Sequence, residues 1–555
     1  MDRFWLKSYP AGVPADIDWT RYTSLVHLLE EAFAKYRERK AYVGFGKTIS
    51  FGEIDDLSKR FAAWLQSKGL AKGDRVAIMM PNLLQYPVAL AGVLRAGLTV
   101  VNVNPLYTAR ELEHQLKDSG ARVIVVLDNF APTLKQVIAR TAIEHVVLCA
   151  FGDMMGAPAP AADTVLAGAT RFNDMLAEGA RLPFTPVPLG HDDVAFLQYT
   201  GGTTGLSKGA TLLHRNVIAN VLQSEAWMQP ALASPKRGPA PEQLNFVCAL
   251  PLYHIFAMTV CCLLGMRVGA FNILVPNPRD PAALIKEISP YQVHMFPAVN
   301  TLYNALAGIE AFQALDWSGL RVSNGGGMAV QRAVAERWLQ VTGCPICEGY
   351  GLSETSPSAA CNPTDTDEFS GTIGLPMPST EILIVDDAGK PVPLGQRGEI
   401  AIRGPQVMAG YWRQPGETAH VMTADGFFKS GDIGVMDERG YVKIVDRKKD
   451  MILVSGFNVY PNEVEDVVAD CPGVAECAAI GVPDEVSGEA VKVFVVRRDD
   501  KLTERDVMTF AAQHLTGYKK PKYVEFRTDL PKTNVGKILR RELRDAELAK
   551  AVATG

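Results

Sequence analysis

The stretch from residue 74 to residue 127 alternates short β-rich runs with helical segments, and this alternation constrains the fold more than any other feature. The β-rich runs cover Arg75–Met79, 99–103 and Val123–Leu127, and the residues between them have helical spacing. Strands that alternate with helices predict a mostly parallel sheet with helices on both faces. Because 555 residues are too many for one core, at least two domains are expected.

A segment rich in glycine and hydroxyl groups follows the apolar run 194–197. Residues 199–209 read Tyr-Thr-Gly-Gly-Thr-Thr-Gly-Leu-Ser-Lys-Gly, with four glycines, three threonines, one serine and one lysine. Such a segment offers backbone N–H groups, hydroxyls and an ammonium in a loop that can take unusual backbone angles. These groups suit a polyanion, above all a nucleotide triphosphate.

Three interpretations of this segment compete. A Walker A loop requires the lysine directly after a glycine, whereas Lys208 stands three places after Gly205. A nucleophile elbow around Ser207 matches Gly-x-Ser-x-Gly, but it must lead directly into a helix. Residues 210–213 instead read as a short strand, with Asn216 as the expected helix cap. A strand–loop–strand phosphate loop is therefore favoured, and a serine hydrolase built on Ser207 is the alternative from another class.

Three further motifs offer groups for binding a nucleotide. Glycines at 325–327 let a flat ligand approach the backbone closely. Residues 348–355 place the aromatic ring of Tyr350 near the carboxylate of Glu354. Asp432, flanked by glycines, can accept both hydroxyls of a ribose. Together with the first loop they predict a nucleotide site.

The C-terminal part of the chain reads as a separate small domain. Five consecutive charges at 446–450 resemble a linker, and Pro461 opens an amphipathic helix. Strands near 478–482 and 491–496 and a helix near 503–515 complete an α+β domain of about a hundred residues. In its tail Lys537 follows a glycine and is the best candidate for a lysine that reaches into an active site.

Composition indicates which kinds of binding partner and which cellular compartment to expect. A net charge of −5 and a pI near 6.1 give no reason to expect a nucleic-acid partner. Nine scattered cysteines indicate reduced thiols, and Cys344 and Cys347 are expected in the core. The apolar run 255–275 is interrupted by Arg267 and reads as buried structure, and residues 1–5 do not resemble a signal peptide. A cytoplasmic protein is expected.

These motifs, together with residues 80–87 and 103–107, resemble the adenylate-forming (ANL) ligases over nearly the whole chain, and most of all the bacterial long-chain fatty acyl-CoA synthetases. The resemblance implies a large N-terminal α/β domain of mostly parallel sheets flanked by helices, with a β-rich subdomain. It also implies a small mobile α+β C-terminal domain, which rotates about a hinge to a second orientation that leaves room for coenzyme A after the first reaction step. The expected boundaries are 1–446 for the adenylation domain and 447–555 for the domain that carries the catalytic lysine.

The resemblance further implies ATP-dependent conversion of a long-chain fatty acid to acyl-AMP, then transfer to coenzyme A. The co-substrates would be ATP and coenzyme A, with Mg²⁺ as cofactor. The roles implied are Thr200 and Glu354 for Mg²⁺; Gly201, Gly202, Thr203, Thr204, Gly205 and Lys208 for the β- and γ-phosphates; Gly325, Gly326, Gly327, Gly349, Tyr350 and Gly351 around adenine; Thr355 for the α-phosphate; Asp432 and Arg447 for the ribose; Lys537 for the carboxylate and α-phosphate; Lys449 as hinge; Ser455, Gly456 and Phe457 for coenzyme A; and His254 and Met258 in the acyl pocket.

Several points stay open from sequence. Some long-chain enzymes carry a tryptophan gate where this chain has Met258, so that gate is not transferred. A medium-chain or aryl-acid CoA ligase and an acyl-AMP ligase are the nearest alternatives, and a non-catalytic acyl-binding protein would not need three nucleotide motifs. Because long acyl chains partition into lipid, peripheral contact with the inner face of a bacterial inner membrane is an option, as is a homodimer.

Overall fold

The computed structural model describes residues 3–156, 166–200, 207–455, 457–484, 486–533 and 536–554. Within these residues the chain forms five β-sheets. The strands, numbered in chain order, are β1 (Lys40–Gly44), β2 (Lys47–Ser50), β3 (Arg75–Met79), β4 (Thr99–Asn102), β5 (Val123–Leu127), β6 (His145–Cys149), β7 (Thr170–Arg171), β8 (Val194–Thr200), β9 (Lys208–Leu213), β10 (Asn245–Cys248), β11 (Phe271–Leu274), β12 (Ser323–Gly325), β13 (Ile346–Gly351), β14 (Ser358–Cys361), β15 (Leu375–Pro376), β16 (Glu381–Val385), β17 (Gly398–Arg403), β18 (Gly410–Tyr411), β19 (Phe428–Met436), β20 (Val442–Arg447), β21 (Ile452–Val454), β22 (Phe457–Val459), β23 (Val474–Asp484), β24 (Gly488–Arg497) and β25 (Tyr523–Arg527).

The helices in the same part of the chain are α1 (Leu25–Lys35), α2 (Phe51–Ser67), α3 (Gln85–Arg95), α4 (Ala109–Ser119), α5 (Ala131–Lys135), α6 (Phe172–Gly179), α7 (His214–Ala233), α8 (Ile255–Ala257), α9 (Leu264–Val268), α10 (Pro281–Ile288), α11 (Asn300–Ala307), α12 (Glu310–Gln313), α13 (Arg332–Thr342), α14 (Pro415–Val421), α15 (Pro461–Ala469), α16 (Glu504–His514) and α17 (Arg540–Thr554). A π-helical turn, Met258–Leu263, joins α8 to α9.

The largest sheet has eight strands in the order β18-β9-β8-β4-β3-β5-β6-β7. Strands β3 to β8 pair in parallel, and β9 and β18 add an antiparallel edge. The central strands β3, β4 and β5 are almost entirely buried, as expected for a parallel sheet covered by helices on both faces. The α/β class predicted from the alternation of strands and helices is confirmed.

Three four-stranded sheets complete the large N-terminal domain. Their strand orders are β10-β11-β1-β2, β12-β13-β14-β15 and β16-β17-β19-β20, and the last of these is antiparallel throughout. This antiparallel sheet is the β-rich subdomain predicted from the sequence. Apolar side chains from all four sheets share one continuous core.

A small C-terminal domain is built on the fifth sheet, in the order β22-β21-β24-β23, with β25 parallel to β24. Helix α15 packs on β23, and its Val464 and Val468 are fully buried. The small domain has apolar clusters of its own, separate from the core of the large domain. The turn between β20 and β21 joins the two domains, while the boundary at residues 446 and 447 stays a prediction.

One local expectation needs correction. Helix α7 begins at His214, two residues before Asn216. The side chain of Asn216 nevertheless caps the helix, because its Oδ1 accepts a hydrogen bond from the backbone N–H of Leu213 at 2.8 Å. The Asn216 side chain is therefore hydrogen-bonded to Leu213, the residue directly before the helix.

The cysteines and the apolar run are placed as the sequence predicts. All nine cysteines are buried and unbridged, including Cys344 and Cys347. Residues 255–275 form α8, the π-helical turn, α9 and β11, which are buried except for part of α9. Among the described residues, no helix is both long enough and apolar enough to cross a bilayer.

Candidate active site

The glycine–threonine segment connects two antiparallel strands. Thr200 ends β8 and faces Lys208, the first residue of β9. The predicted phosphate ligands Gly201, Gly202, Thr203, Thr204 and Gly205 lie outside the described residues. Because the chain continues from the loop into β9 and not into a helix, Ser207 does not sit on the strand-to-helix turn that a nucleophile elbow requires.

Helix α4 supports this hairpin from behind. The hydroxyl of Tyr199 donates a hydrogen bond to Asp118 at 2.6 Å. The imidazole Nε2 of His114 lies 2.8 Å from the carbonyl oxygen of Ser207. At the front, the Lys208 ammonium pairs with Glu417 and lies 5.3 Å from the centre of the Tyr411 ring. Glu417 and Tyr411, both in the large domain, therefore hold the ammonium of Lys208, which is a candidate phosphate-binding cation.

The two glycine-rich strands lie side by side. Gly325 on β12 pairs in parallel with Glu348 on β13. A Cβ atom added at Gly326 would lie 3.0 Å from the Phe256 ring and 3.3 Å from the carbonyl oxygen of Gly349. The absence of a side chain at Gly326 therefore lets the Phe256 ring and the Gly349 carbonyl pack closely against the backbone.

The other glycines in these motifs have distinct structural reasons. At Gly351 an added Cβ would lie 2.0 Å from the carbonyl oxygen of Pro357, so the strand can be close to its neighbour only with glycine there. Gly327 has φ +79°, a left-handed conformation that favours glycine. Glycine at both positions therefore serves the path of the backbone in addition to any ligand.

Asp432, Arg447 and Tyr350 meet at one point. Asp432 on β19 is opposite Arg447 on β20, and the Arg447 Nε lies 3.1 Å from Asp432 Oδ1. Tyr350 donates its hydroxyl to Asp432 Oδ2 at 2.6 Å. Burial, together with the Asp432 charge, raises the pKa of Tyr350 well above its ordinary value, so the phenol stays a donor. The three residues assigned to adenine and ribose are therefore in direct contact.

Glu354 sits in the short 3-10 turn Ser353–Thr355, which packs against β8 and β9. The carboxylate is buried, and burial raises its pKa. Tyr411, on β18, donates its hydroxyl to Glu354 Oε1 at 2.7 Å. Sequence inspection missed Tyr411, because it lies 57 residues away and belongs to no recognised motif.

Thr355 is fully buried, and its hydroxyl is already engaged. Its Oγ1 accepts a hydrogen bond from the Leu352 N–H at 2.9 Å and donates to the carbonyl oxygen of Pro357. In this structure the hydroxyl stabilises its own turn. Its contact with an α-phosphate stays a prediction.

The donor set fits a magnesium ion in chemical type. Thr200 and Glu354 supply a hydroxyl and a carboxylate, and Mg²⁺ is typically held by one or two protein oxygens together with substrate phosphates and water. Within the described part of the chain, no group of three or more His, Cys, Asp or Glu residues forms a metal cage.

Lys537 of the small domain reaches this site in the large domain. Burial and the Arg447 charge lower the pKa of Lys537 to about 7, while Asp432 opposes the shift. In turn, burial and the Lys537 charge lower the pKa of His254 to about 4. These electrostatic effects agree with a position of Lys537 near the ribose residues and His254, and its catalytic role stays a prediction.

The loop that carries Lys537 is fixed by its own backbone. The Lys537 N–H donates to Thr533 Oγ1 at 3.1 Å, and the Thr533 N–H donates to the Lys537 carbonyl oxygen at 2.7 Å. Gly536 has φ +80°, and an added Cβ there would lie 2.3 Å from the hydroxyl of Thr301 in α11. A glycine before the lysine is thus necessary for the two domains to approach each other this closely.

The two residues predicted for the acyl pocket are His254, which directly precedes α8, and Met258, which directly follows it. The Nδ1 of His254 accepts a hydrogen bond from the Phe256 N–H at 3.3 Å and caps α8. Met258 begins the π-helical turn and is fully buried, with its sulfur 3.2 Å from the amide nitrogen of Asn102. Asn102 also donates to Gln198 Oε1 at 3.0 Å. Sequence inspection found no indication of this polar pair beside Met258. Asn102 is the last residue of β4, and Gln198 lies two residues before the end of β8.

The predicted hinge residue lies between β20 and β21, and the described residues predicted for coenzyme A lie at the ends of β21 and β22. Lys449 is in the turn between β20 and β21, and Gly456 is outside the described residues. Ser455 has φ +50°, and its N–H donates to the carbonyl oxygen of Ser487. Phe457 is 56% exposed and stacks on Tyr518 with ring centres 4.7 Å apart. In this orientation the small domain presents Lys537 to the site and leaves Phe457 open to solvent.

Comparison with known proteins identifies the family to which the chain belongs. Residues 29–412 match the family described as AMP-binding enzyme, and residues 463–537 match its C-terminal domain. A long-chain-fatty-acid–CoA ligase of Escherichia coli O6:H1 is 53% identical, with 99% of each chain covered. Among solved structures, ATP-bound MatB from Rhodopseudomonas palustris is 30% identical with a TM-score of 0.82, over 94% of this chain and 98% of that one. An anthranilate CoA ligase in complex with anthranoyl-AMP is 26% identical with a TM-score of 0.86, over 97% of this chain and 100% of that one.

Proposed function

We propose, for a chain that belongs to the AMP-binding enzymes of the adenylate-forming superfamily, that it is a long-chain-fatty-acid–CoA ligase. In the first step a carboxylate oxygen of the fatty acid attacks the α-phosphorus of ATP, and the bond to pyrophosphate breaks. In the second step the sulfur of coenzyme A attacks the acyl carbon, the bond to AMP breaks, and the thiol proton leaves to solvent. The observation that carries this proposal is the direct contact among Tyr350, Asp432 and Arg447 in a chain that matches the AMP-binding enzymes in both domains.

The physical problem in the first step is the repulsion between two anions. Bringing a carboxylate to a triphosphate in a poorly solvated site costs several kcal/mol unless positive charge lies between them. Lys537 supplies a cation from the small domain, and Lys208 supplies one at the phosphate loop. When bound, Mg²⁺ screens the remaining phosphate charge. Both reactants can then come within bonding distance.

The remaining side chains bind and orient. Asp432 accepts the ribose hydroxyls, with Arg447 beside it, and Tyr350 flanks the base near Gly326. Thr200 and Glu354 would hold the metal, with Tyr411 orienting the carboxylate. The assignments of the phosphates to residues 201–205 and of the α-phosphate to Thr355 rest on the family alone. The other roles are supported by the contacts of the described residues and by the family.

The preference for a long chain rests on the relatives. The Escherichia coli relative, similar along almost its entire length, is named for long-chain fatty acids. The apolar surroundings of Met258 agree with an acyl substrate. Medium-chain and aryl-acid ligases would differ in the shape of this pocket and not in the nucleotide site.

The proposal extends to location and assembly. A cytoplasmic enzyme that touches the inner face of the membrane would meet fatty acids where they partition, and a homodimer is compatible with the family. Flotation with anionic vesicles and light scattering of the purified protein measure these two properties directly.

The test is pyrophosphate release measured over a series of fatty acids of increasing length, with and without coenzyme A. We expect release that requires ATP and Mg²⁺, is greatest with long chains, and turns over repeatedly when coenzyme A is present. Ester hydrolysis without ATP, abolished in Ser207→Ala, would instead support the hydrolase. A maximum with aryl acids or medium chains would move the substrate class and leave the reaction type in place.

A further inference from the structure

A group of contacts joins the two domains close to the hinge. Asp446, in β20, is fully buried and lies three residues before Lys449. Its Oδ2 accepts a hydrogen bond from the Asn462 N–H at 2.7 Å, and its Oδ1 lies 3.3 Å from Arg540 Nη1. Asp446 belongs to a strand of the large domain, whereas Asn462 and Arg540 belong to helices of the small domain.

Arg540 is the centre of this group on the side of the small domain. Its guanidinium also pairs with Glu465 in α15 at 2.5 Å and with Asp450 at 3.5 Å. Only Asp446, among these acidic partners, precedes the hinge. A single buried guanidinium therefore connects α15 and the start of α17 to the last strand of the large domain.

The position of Arg540 is coupled to that of Lys537. Only Ile538 and Leu539 separate them, and the Leu539 N–H donates to the carbonyl oxygen of Pro531 at 2.8 Å, which closes the loop at its base. Because the backbone between the two residues is short and hydrogen-bonded, holding Arg540 against Asp446 also holds the lysine toward the nucleotide site.

A rotation at Lys449 must change these contacts. Asp446 lies before the hinge and stays with the large domain, while Asn462, Glu465 and Arg540 move together with the small domain. The Arg540–Glu465 pair persists through such a motion, and the Arg540–Asp446 pair does not. The contact with Asp446 is thus specific to the orientation in which Lys537 reaches the site.

We propose that Asp446 and Arg540 are positioning residues that hold Lys537 in the site for adenylation and must separate before thioester formation. This inference rests on the proposed ligase function. It assigns no contact with substrate to either residue. Loss of the contact shifts the balance between the two orientations, so the two half-reactions should respond differently.

The experiment compares the half-reactions in Asp446→Asn, which removes the charge and keeps the size of the side chain. Acyl-AMP formation is followed by pyrophosphate release without coenzyme A, and thioester formation by adding coenzyme A to supplied acyl-AMP. We expect acyl-AMP formation to fall about tenfold or more, because a buried charge partner is lost, and thioester formation to be unchanged or faster. Retained thioester formation also shows that the variant is folded.

The matched control is Glu547→Gln. Glu547 lies in α17, the helix that begins with Arg540, and this change removes a 2.6 Å ion pair with Lys492 inside the small domain. It should leave both half-reactions near wild type. As a second variant, Arg540→Gln should reproduce the selective loss, and Asp446→Asn combined with Arg540→Gln should lose little more than either change alone.

Equal loss of both half-reactions in Asp446→Asn, or no loss in either, would overturn the inference while leaving the ligase assignment intact. Failure of the wild-type protein to release pyrophosphate with any fatty acid would overturn the proposed function itself. The two failures are therefore distinguishable in one set of assays.

Discussion

Ionisable groups concentrate where the small domain meets the large one, and burial sets their charge. Burial raises the pKa of Glu348 to about 8 and that of Asp446 to about 6, and it lowers the pKa of Lys537 to about 7. A lysine with a pKa near neutrality carries its full charge only when anions join it. Bound anions would raise this pKa and favour the charged form of Lys537.

The first prediction concerns Lys537. In Lys537→Ala we expect acyl-AMP formation to fall by about 100-fold or more, because the cation between the two anions is lost. Thioester formation from supplied acyl-AMP should change little, since AMP is already the leaving group. Single-turnover assays of the two half-reactions measure this, and a parallel decline of both would exclude a role restricted to adenylation.

The second prediction concerns Tyr411. In Tyr411→Phe the buried Glu354 carboxylate loses a hydrogen bond, and bonds to charged groups contribute about 1.5–3 kcal/mol. We expect adenylation to fall about tenfold and half-maximal activity to need more Mg²⁺. The control is Tyr9→Phe, which removes a hydroxyl that donates a hydrogen bond to the carbonyl oxygen of Pro376 and does not contact Glu354. An unchanged Mg²⁺ titration in Tyr411→Phe would remove Tyr411 from the metal site.

The third prediction concerns the acid stability conferred by His214. Burial lowers its pKa to about 4, and its Nδ1 accepts a hydrogen bond from the Leu25 N–H at 3.1 Å. The unfolded imidazole has a pKa of about 6.5, so between about pH 6.5 and 4 the unfolded state binds a proton that the folded state does not. As the pH falls from about 6.5 to about 4, the free energy of unfolding should therefore decrease, with up to about 3 kcal/mol of the decrease due to this residue.

In His214→Gln this part of the decline should disappear, because glutamine can accept the same bond and does not titrate. Urea unfolding at several pH values from 4 to 7 measures it. His420→Gln, at an exposed position in α14, should keep the wild-type pH dependence. An unaltered slope in His214→Gln would show that this imidazole does not cause the decline.

At the scale of elements, helix caps explain why many boundaries could be predicted. Thr108 and Glu111 form a reciprocal capping box at the start of α4, and Thr503 and Asp506 form one at the start of α16. Such caps depend on residues three positions apart, so they are visible in the sequence. The early start of α7 was missed because Asn216 bonds backwards to Leu213.

The fourth prediction concerns α4, which supports the phosphate-loop hairpin through His114 and Asp118. Thr108→Ala should cost about 1 kcal/mol of stability by removing the cap, and it should raise the KM for ATP by loosening the hairpin. Thr503→Ala removes the equivalent cap of α16 in the small domain. It should cost similar stability without changing the KM for ATP, as thermal unfolding and ATP titration would show. Equal ATP effects in both variants would contradict the supporting role of α4.

At the scale of the whole molecule, two cores are connected by one short turn. The large domain holds the nucleotide residues and the small domain holds Lys537, so the complete site exists only when the domains are in contact. Phe457, assigned to coenzyme A, is exposed in the same orientation. This exposure agrees with the proposal that the small domain rotates between the two half-reactions.

The fifth prediction concerns the turn at Lys449. Proline fixes φ, so Lys449→Pro should restrict rotation of the small domain. We expect adenylation to persist and thioester formation to fall at least about tenfold. Lys449→Ala keeps backbone freedom and serves as the control, with both half-reactions near wild type. Loss in the alanine variant would point to the lysine side chain, and normal thioester formation in the proline variant would rule out rotation at this residue.

The sequence by itself determined the fold class and the two-part organisation, and it proposed the candidate site residues. The bounds of β3 and β5 agree with the β-rich runs in the sequence, and the glycine–threonine segment lies between two strands as predicted. These features are encoded within a few neighbouring residues, by side-chain period, by caps and by glycine at turns.

Only the tertiary structure decided how distant residues meet. Tyr411 reaches Glu354 across 57 residues, and Arg540 reaches Asp446 across 94. Such contacts depend on how the sheets pack and how the small domain is seated on the large one, which no local pattern specifies. The shifted pKa values of Lys537, His254 and Glu348 have the same origin, because desolvation exists only once the chain has enclosed these groups.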